Sequence, residues 1–334
     1  MVLSNKFFKK DVNKPICVFV VTFAFLVFAV LTSFRSLQVG NDSETYSYLF
    51  YKFSENGFQM DSNIEYGFQL FCIIVSKFSL KENAIVVASG FLSYCLIIVY
   101  ILRYSSKTPY VILIYFLTFF SYYLSGIRQG IAMAILLFAF QTIRRKQTIR
   151  TIVIILTASL FHLTALCFLL LLVLNNFKII KNYAMVLTIV AVAALFFRFE
   201  SSLFVSIMGR YSHYLTADGG FGVGWLGVTM SLIVYLSVSF ISLRLSNVDR
   251  EYKRTIFWAS FLMLSFGFFA YVTHIFTRIA MFFEFPLIIL SADLISKTNR
   301  KGIKWLYLLF LTSILLVQVL FRPEWVYFIN YRFY

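Results

Sequence analysis

NAIVVASGFLSYCLIIVYIL, at residues 83–102, is a stretch of twenty residues without a charged side chain. A helix needs about 20 mostly apolar residues to cross the hydrocarbon core of a bilayer. The stretch therefore predicts a transmembrane helix. Other apolar stretches of comparable length lie at 15–34, 109–124, 127–143, 182–198, 223–243, 255–273, 278–296 and 304–321.

The composition supports the same class of protein. Hydrophobic residues make up 60% of the 334 residues and charged residues 13%, whereas soluble domains carry roughly a quarter of their residues as charges. The formal net charge of +16 is divided among short clusters between apolar runs, which is typical of topology signals and excludes a nucleic-acid groove. We predict an all-α polytopic membrane protein, a single integral membrane domain over residues 1–334 with about ten or eleven transmembrane or re-entrant helices.

Clusters of Lys and Arg mark cytoplasmic segments and so fix the orientation. They lie at the N-terminus and at 144–150, 244–254 and 297–304. The first apolar stretch is too long for a cleaved signal, so we expect an uncleaved span with a cytoplasmic N-terminus. The loops at 37–82 and 199–222 are then exterior.

Two apolar runs do not fit this orientation as single spans. The run at 66–80 cannot cross, and we expect a short helix in the outer interface. The run at 151–174 must supply an even number of crossings, which favours two short helices broken near Ser159-Leu160-Phe161-His162 over one long tilted helix.

The first exterior loop contains a predicted amphipathic helix. Apolar side chains recur at helical spacing after Asp42 and stop at Gly57; they are Tyr46, Leu49, Phe50 and Phe53. We expect this aromatic, amphipathic helix to lie on the membrane.

Candidate functional side chains collect on the exterior side. They are Asp42, Glu65, Arg128, Gln129, Arg210, His213, His274 and Arg278, and His162 at the predicted break approaches them. Each has a structural alternative: Asp42 as a helix N-cap, His162 as a core histidine, and the arginines as interfacial anchors. Arg128 and Arg278 begin helices at the partly positive end, where a cation is disfavoured, so we infer an anionic partner for each.

Other polar or reactive side chains need no functional role. Cys17, Cys72, Cys95 and Cys167 lie in apolar runs without metal-ligand spacing, and we expect them to be packing residues. Glu284 lies in the middle of a span, where a carboxylate is costly, so we expect it to be paired.

Five stretches, in this order, resemble the EpsG family, which is similar to the Wzy-type polymerases of bacterial O-antigen, capsule and exopolysaccharide. They are Asn41-Asp42-Ser43-Glu44-Thr45-Tyr46, Glu65-Tyr66-Gly67-Phe68, Ile127-Arg128-Gln129-Gly130-Ile131-Ala132, Leu160-Phe161-His162-Leu163-Thr164-Ala165-Leu166 and Thr277-Arg278-Ile279-Ala280-Met281-Phe282-Phe283. The resemblance covers about residues 35–290. Phe282-Phe283 stands where the family usually has Tyr-Phe.

The resemblance implies a GT-C-like glycosyltransferase in the bacterial inner membrane, with its active site on the periplasmic face. It implies undecaprenyl-pyrophosphate-linked oligosaccharide as donor and acceptor, surrounding membrane lipid, a chain-length regulator protein as a candidate partner, and no metal or other cofactor. Arg128 and Arg278, with Arg210 as a third candidate, would stabilise the leaving pyrophosphate.

The acceptor hydroxyl needs a base, for which Asp42 and His162 are the candidates, and Glu65 is a third catalytic candidate. Gln129, His213 and His274 are candidate substrate contacts, and the aromatic rings of Tyr46 and Tyr66 could stack on sugars. Three other classes remain open: a polysaccharide flippase or other transporter, an O-antigen ligase, and an assembly partner without activity. A transporter would distribute charges through the bilayer, whereas these lie on one side.

Overall fold

The computed structural model shows a helical chain. It describes residues 19, 23–24, 26–27, 30–31, 35–40, 42–60, 62–105, 111–112, 115, 126–178, 183–199, 250–270, 272, 275–297, 302, 304–309 and 312. The predicted span at 223–243 and most of that at 109–124 lie outside the described residues. So do the candidate residues Arg210, His213 and His274.

The helices follow the order of the predicted apolar stretches. They are α1 Ser43–Asn56, α2 Tyr66–Ser76, α3 Ala84–Tyr104, α4 Ile127–Arg144, α5 Thr148–Ser159, a 3-10 helix Leu163–Cys167, α6 Phe168–Leu174, α7 Tyr183–Phe199, α8 Arg250–Phe269 and α9 Ile275–Lys297. Within the described part of the chain, α3 is the one helix long and apolar enough to cross a membrane by length and composition. Its 21 residues contain most of the uncharged stretch at 83–102.

The chain divides into two compact units. The first comprises Met1–Ala139, Ile152–Leu166 and Ala292–Tyr334, and the second comprises Phe140–Thr151 and Cys167–Ser291. The single membrane domain stays a prediction.

Helix α1 confirms the predicted apolar face. Tyr46, Leu49, Phe50 and Phe53 are buried, and the helix ends at Gly57, whose φ of 68° suits glycine. The four side chains share a core with α2 and the start of α3, and the position of the helix on the membrane stays a prediction. Burying each large apolar side chain stabilises the unit by roughly 1.5–3 kcal/mol.

Helix α2 confirms that the run at 66–80 contains a short helix. Its eleven residues rise about 16 Å, about half the thickness of the hydrocarbon core. Phe68, Gln69, Cys72 and Val75 are buried on one face. The helix is therefore too short to span a bilayer and is anchored by protein contacts.

The predicted break in the run at 151–174 is also confirmed. Helix α5 ends at Ser159, and the next helical turn begins at Leu163. The amides of Phe161 and His162 both donate to the carbonyl of Ala158, which closes the last turn of α5. His162 thus lies in the non-helical joint, as expected.

In the second unit, α8 packs against α6 and α7. Thr255 Oγ1 donates to Asn175 Oδ1 at 3.0 Å, and the Phe283 ring stacks on Phe168 with centroids 5.3 Å apart. Arg278 lies in the first turn of α9. Within the described residues the Glu284 carboxylate contacts no cation, so the expected pairing is not found there.

Three of the four cysteines are described, and all three are free thiols, as predicted. They are Cys72, Cys95 and Cys167. Cys17 lies outside the described residues.

Candidate functional site

The loop before α2 is held in place by a single buried amide. Gln69 is fully buried, and its Nε2 donates to the carbonyls of Gln59 at 3.1 Å and Ile64 at 2.7 Å. Its Oε1 accepts the Gln59 amide proton at 2.9 Å. Because one side chain fixes both ends of the loop, Glu65 begins α2 in a defined position.

A close backbone approach brings the break at 160–162 onto the start of α2. The Gly67 amide donates to the carbonyl of Leu160 at 2.8 Å. A Cβ atom at Gly67 would lie 2.7 Å from both Leu160 Cβ and Leu160 O. Only glycine allows this contact, which positions the neighbouring His162.

We expect Gly67→Ala to destabilise the protein by roughly 1–3 kcal/mol, because the added methyl group overlaps the Leu160 backbone. The midpoint of thermal unfolding in detergent measures the effect. Gly302→Ala is the matched control, since Gly302 is also helical and nothing lies within 4 Å of its added Cβ. Equal midpoints for the two variants would contradict the close approach.

Glu65 is the centre of the site, because its carboxylate contacts groups from two other segments. Oε2 forms an ion pair with Nη1 of Arg128, in the first turn of α4. Oε1 accepts the Leu163 amide proton at 3.1 Å and lies 3.4 Å from Nδ1 of His162. The side chains of Arg128, His162 and Glu65 are 22%, 16% and 15% exposed. The site is thus partly buried.

Glu65 is ionised over the physiological range. Burial acts to raise the pKa of its carboxyl, but the hydrogen bond with His162 and the charge of Arg128 act in the other direction and prevail. The pKa falls from its ordinary 4.5 to about 2. Glu65 is therefore a fixed anion and a poor proton acceptor at neutral pH.

This lowered pKa predicts acid sensitivity. A carboxyl with a depressed pKa in the folded state contributes stability above pH 4.5 that is lost as the pH falls toward about 2. The loss should amount to about 3 kcal/mol. Unfolding midpoints measured across this range should fall for the wild type and vary less for Glu65→Gln. Parallel curves for the two proteins would contradict the ion pair.

Arg128 has the anionic partner that its position at a helix start predicted. Besides the ion pair, its guanidinium lies 5.9 Å from the ring centroids of both Tyr46 and Phe68, which limits its movement. Its Nε has no hydrogen-bond acceptor within the described part of the chain. Nη1 is bound by Glu65, and the Tyr46 side chain also interacts with the guanidinium.

The other candidates are placed as follows. Asp42 occupies the N-cap position of α1, but its side chain makes no capping hydrogen bond. Gln129 is buried in α4, and Tyr46 is buried with its ring edge-to-face against Phe68. Arg278 belongs to the second unit. The structure therefore groups Glu65, Arg128, His162 and Tyr46 in the first unit.

Sequence reasoning missed Gln69 and the role of Gly67. Gln69 is a lone amide inside the apolar run at 66–80. Because a buried amide needs hydrogen-bond partners, its position could have indicated a structural role. Gly67 directly follows Glu65-Tyr66, but glycine in a helix gives no sign of which backbone approaches it.

The described part of the chain is helical, and one of its helices is long and apolar enough to cross a membrane, which is consistent with a helical membrane protein. The family model for the EpsG family matches residues 18–333, nearly the whole chain. The chain therefore belongs to the EpsG family of Wzy-type polymerase-like membrane proteins. No curated protein and no solved structure gives a significant match. Family membership indicates a polymerase-like role in polysaccharide biosynthesis with a lipid-linked substrate.

Proposed function

We propose that this protein polymerises undecaprenyl-pyrophosphate-linked oligosaccharide repeat units by glycosyl transfer on the periplasmic face of the inner membrane. The observation that carries the proposal is the Glu65–Arg128–His162 cluster, which three separate segments of the first unit build. It combines a fixed anion, a guanidinium with spare donors and an imidazole. The GT-C-like architecture and a chain-length regulator as partner belong to the same proposal.

In this reaction the acceptor hydroxyl oxygen bonds to the anomeric carbon of the donor while the bond from that carbon to the pyrophosphate oxygen breaks. His162 takes the hydroxyl proton, because Glu65 is too acidic to do so. The N–H groups of Arg128 that do not contact Glu65 stabilise the charge on the departing pyrophosphate. Asp42 is the alternative base, since no capping bond occupies its side chain.

Sugar recognition is assigned to the exposed rings next to Glu65. Tyr66 is 50% exposed and Phe58 46% exposed, with their ring centroids 5.1 Å apart. Tyr46 is buried between protein groups, so Tyr66 is the better candidate of the two tyrosines for stacking on a sugar. Arg278, Arg210, Gln129, His213 and His274 stay proposed substrate contacts.

Deleting the chromosomal gene and separating the surface polysaccharide on a gel tests the function. Loss of a polymerase should leave surface lipid capped with a single repeat unit, and the plasmid-borne wild-type gene should restore the ladder. Loss of a flippase should leave no repeat unit on the surface. Loss of a ligase should leave full-length polymer on the undecaprenyl carrier, so the flippase and the ligase each have their own pattern.

The orientation predicts which cysteine substitutions react with a membrane-impermeant thiol reagent. A cysteine at Ser54, in α1, should be labelled in intact spheroplasts, and one at Thr148, at the start of α5, should not. Permeabilised cells, in which both should react, are the control. Labelling at Thr148 but not at Ser54 would invert the topology and remove the site from the periplasm.

A further inference from the structure

We propose that Glu65 is a positioning residue that holds His162 in one tautomer, with the proton on Nδ1 and the lone pair on Nε2. This inference rests on the proposed function, because it says which nitrogen takes the acceptor proton. It assigns Glu65 a role different from that of a base.

The first observation is the direction of the imidazole. Nδ1 lies 3.4 Å from Oε1 of Glu65, a longer distance than in a typical N–H···O hydrogen bond, and it is buried, although the side chain as a whole stays 16% exposed. The two nitrogens lie on different edges of an imidazole ring. Nε2 therefore lies on the ring edge that does not face the carboxylate.

The second observation is that both partners are held by other contacts. Arg128 binds Oε2 and the Leu163 amide binds Oε1, so the carboxylate cannot rotate freely. The Gly67–Leu160 hydrogen bond fixes the chain two residues before His162. The charge that faces Nδ1 is thus in place before substrate arrives.

The chemical reason follows from the hydrogen-bonding capacity of the two groups. An ionised carboxylate can only accept hydrogen bonds, so the imidazole nitrogen facing it must carry the proton. When Nε2 accepts the hydroxyl proton, the imidazolium that forms is stabilised by the same carboxylate. The other titratable groups around the cluster are Arg128, Tyr46 and the buried thiol of Cys72.

The tautomer can be read from nitrogen-15 spectra of the full chain, labelled at histidine, in lipid nanodiscs at alkaline pH. The His162→Gln spectrum identifies the His162 signals among the three histidines. We expect a protonated Nδ1 and a bare Nε2 in the wild type. Glu65→Gln, whose amide can donate to Nδ1, should shift the signals toward the tautomer with the proton on Nε2.

Arg128→Gln is the matched control, because it removes the same ion pair but leaves the carboxylate beside His162, where the Leu163 amide still binds Oε1. Its spectrum should keep the wild-type tautomer. In a polymerisation assay Glu65→Gln should lower kcat by roughly 10²- to 10⁴-fold with KM changed by less than about threefold. Glu65→Asp, which keeps the charge, should recover part of the loss.

Three results would overturn the inference: a wild-type proton on Nε2, an unchanged tautomer in Glu65→Gln, or the same shift in Arg128→Gln. Failure of the proposed function would instead appear as a wild-type chain that does not polymerise. The spectra do not depend on that activity, so the two failures are distinguishable.

Discussion

His162→Gln is expected to insert and accumulate like the wild type but to polymerise about 10²- to 10⁴-fold more slowly. Glutamine keeps a hydrogen-bond donor for the Glu65 carboxylate and a similar length, but it has no nitrogen that can take up a proton. The loss should therefore lie in the chemical step. The measurement is the rate of chain growth with purified protein and lipid-linked repeat units, together with the polysaccharide ladder in cells.

Asp42→Asn separates the two candidate bases. The substitution keeps the size of the side chain and removes its charge, and no capping hydrogen bond is lost because Asp42 makes none. If Asp42 is the base, Asp42→Asn should lose activity and His162→Gln should keep it. That pair of results, at wild-type protein levels, would contradict the assignment of His162.

The second large effect is expected for Arg128→Lys, which should lower the polymerisation rate about 30- to 1000-fold. A lysine can still pair with Glu65, so the fold should survive. Its ammonium is a point charge and cannot hold two phosphate oxygens in a planar fork while it binds the carboxylate. The rate and the unfolding midpoint must be measured on the same preparation.

Arg103→Lys is the matched control for this substitution. Arg103 lies near the end of α3, is exposed and lies 5.6 Å from the Tyr104 ring, as expected of an interfacial anchor. An anchor needs only a long cation, so its replacement should not change the rate. If Arg128→Lys is fully active, the proposed pyrophosphate contact is wrong and Arg128 is only a structural partner of Glu65.

Some features of the helices could be predicted from the sequence, namely those that depend on hydrophobic periodicity or on the positions of charged clusters. The spacing of Tyr46, Phe50 and Phe53 predicted the buried face of α1, and the balance of basic clusters predicted the break near His162. What the pattern could not show was the partner of that face. An aromatic stripe looks the same whether it meets lipid or the helices that follow it.

The sequence indicated candidate residues for the site, but it did not indicate which of them contact each other. The dipole at the start of α4 indicated an anion near Arg128, and the substrate pyrophosphate was the anion that we expected. The structure supplies Glu65, 63 residues away, and the same carboxylate reaches the Leu163 amide 98 residues away. Pairing over such separations depends on how segments pack, which spacing along the chain does not encode.

The Gln69 amide holds the loop before Glu65 without relying on the side chains of that loop. Its bonds go to backbone atoms of Gln59 and Ile64, so they impose no side-chain identity on the positions between them. Met60, at 77% exposed, directly follows Gln59 in this loop. Exchanging exposed side chains of this loop should therefore change the surface beside Tyr66 and leave the Gln69 bonds in place. If Tyr66 stacks on a sugar as proposed, a few positions in this loop would suffice to redesign the sugar preference.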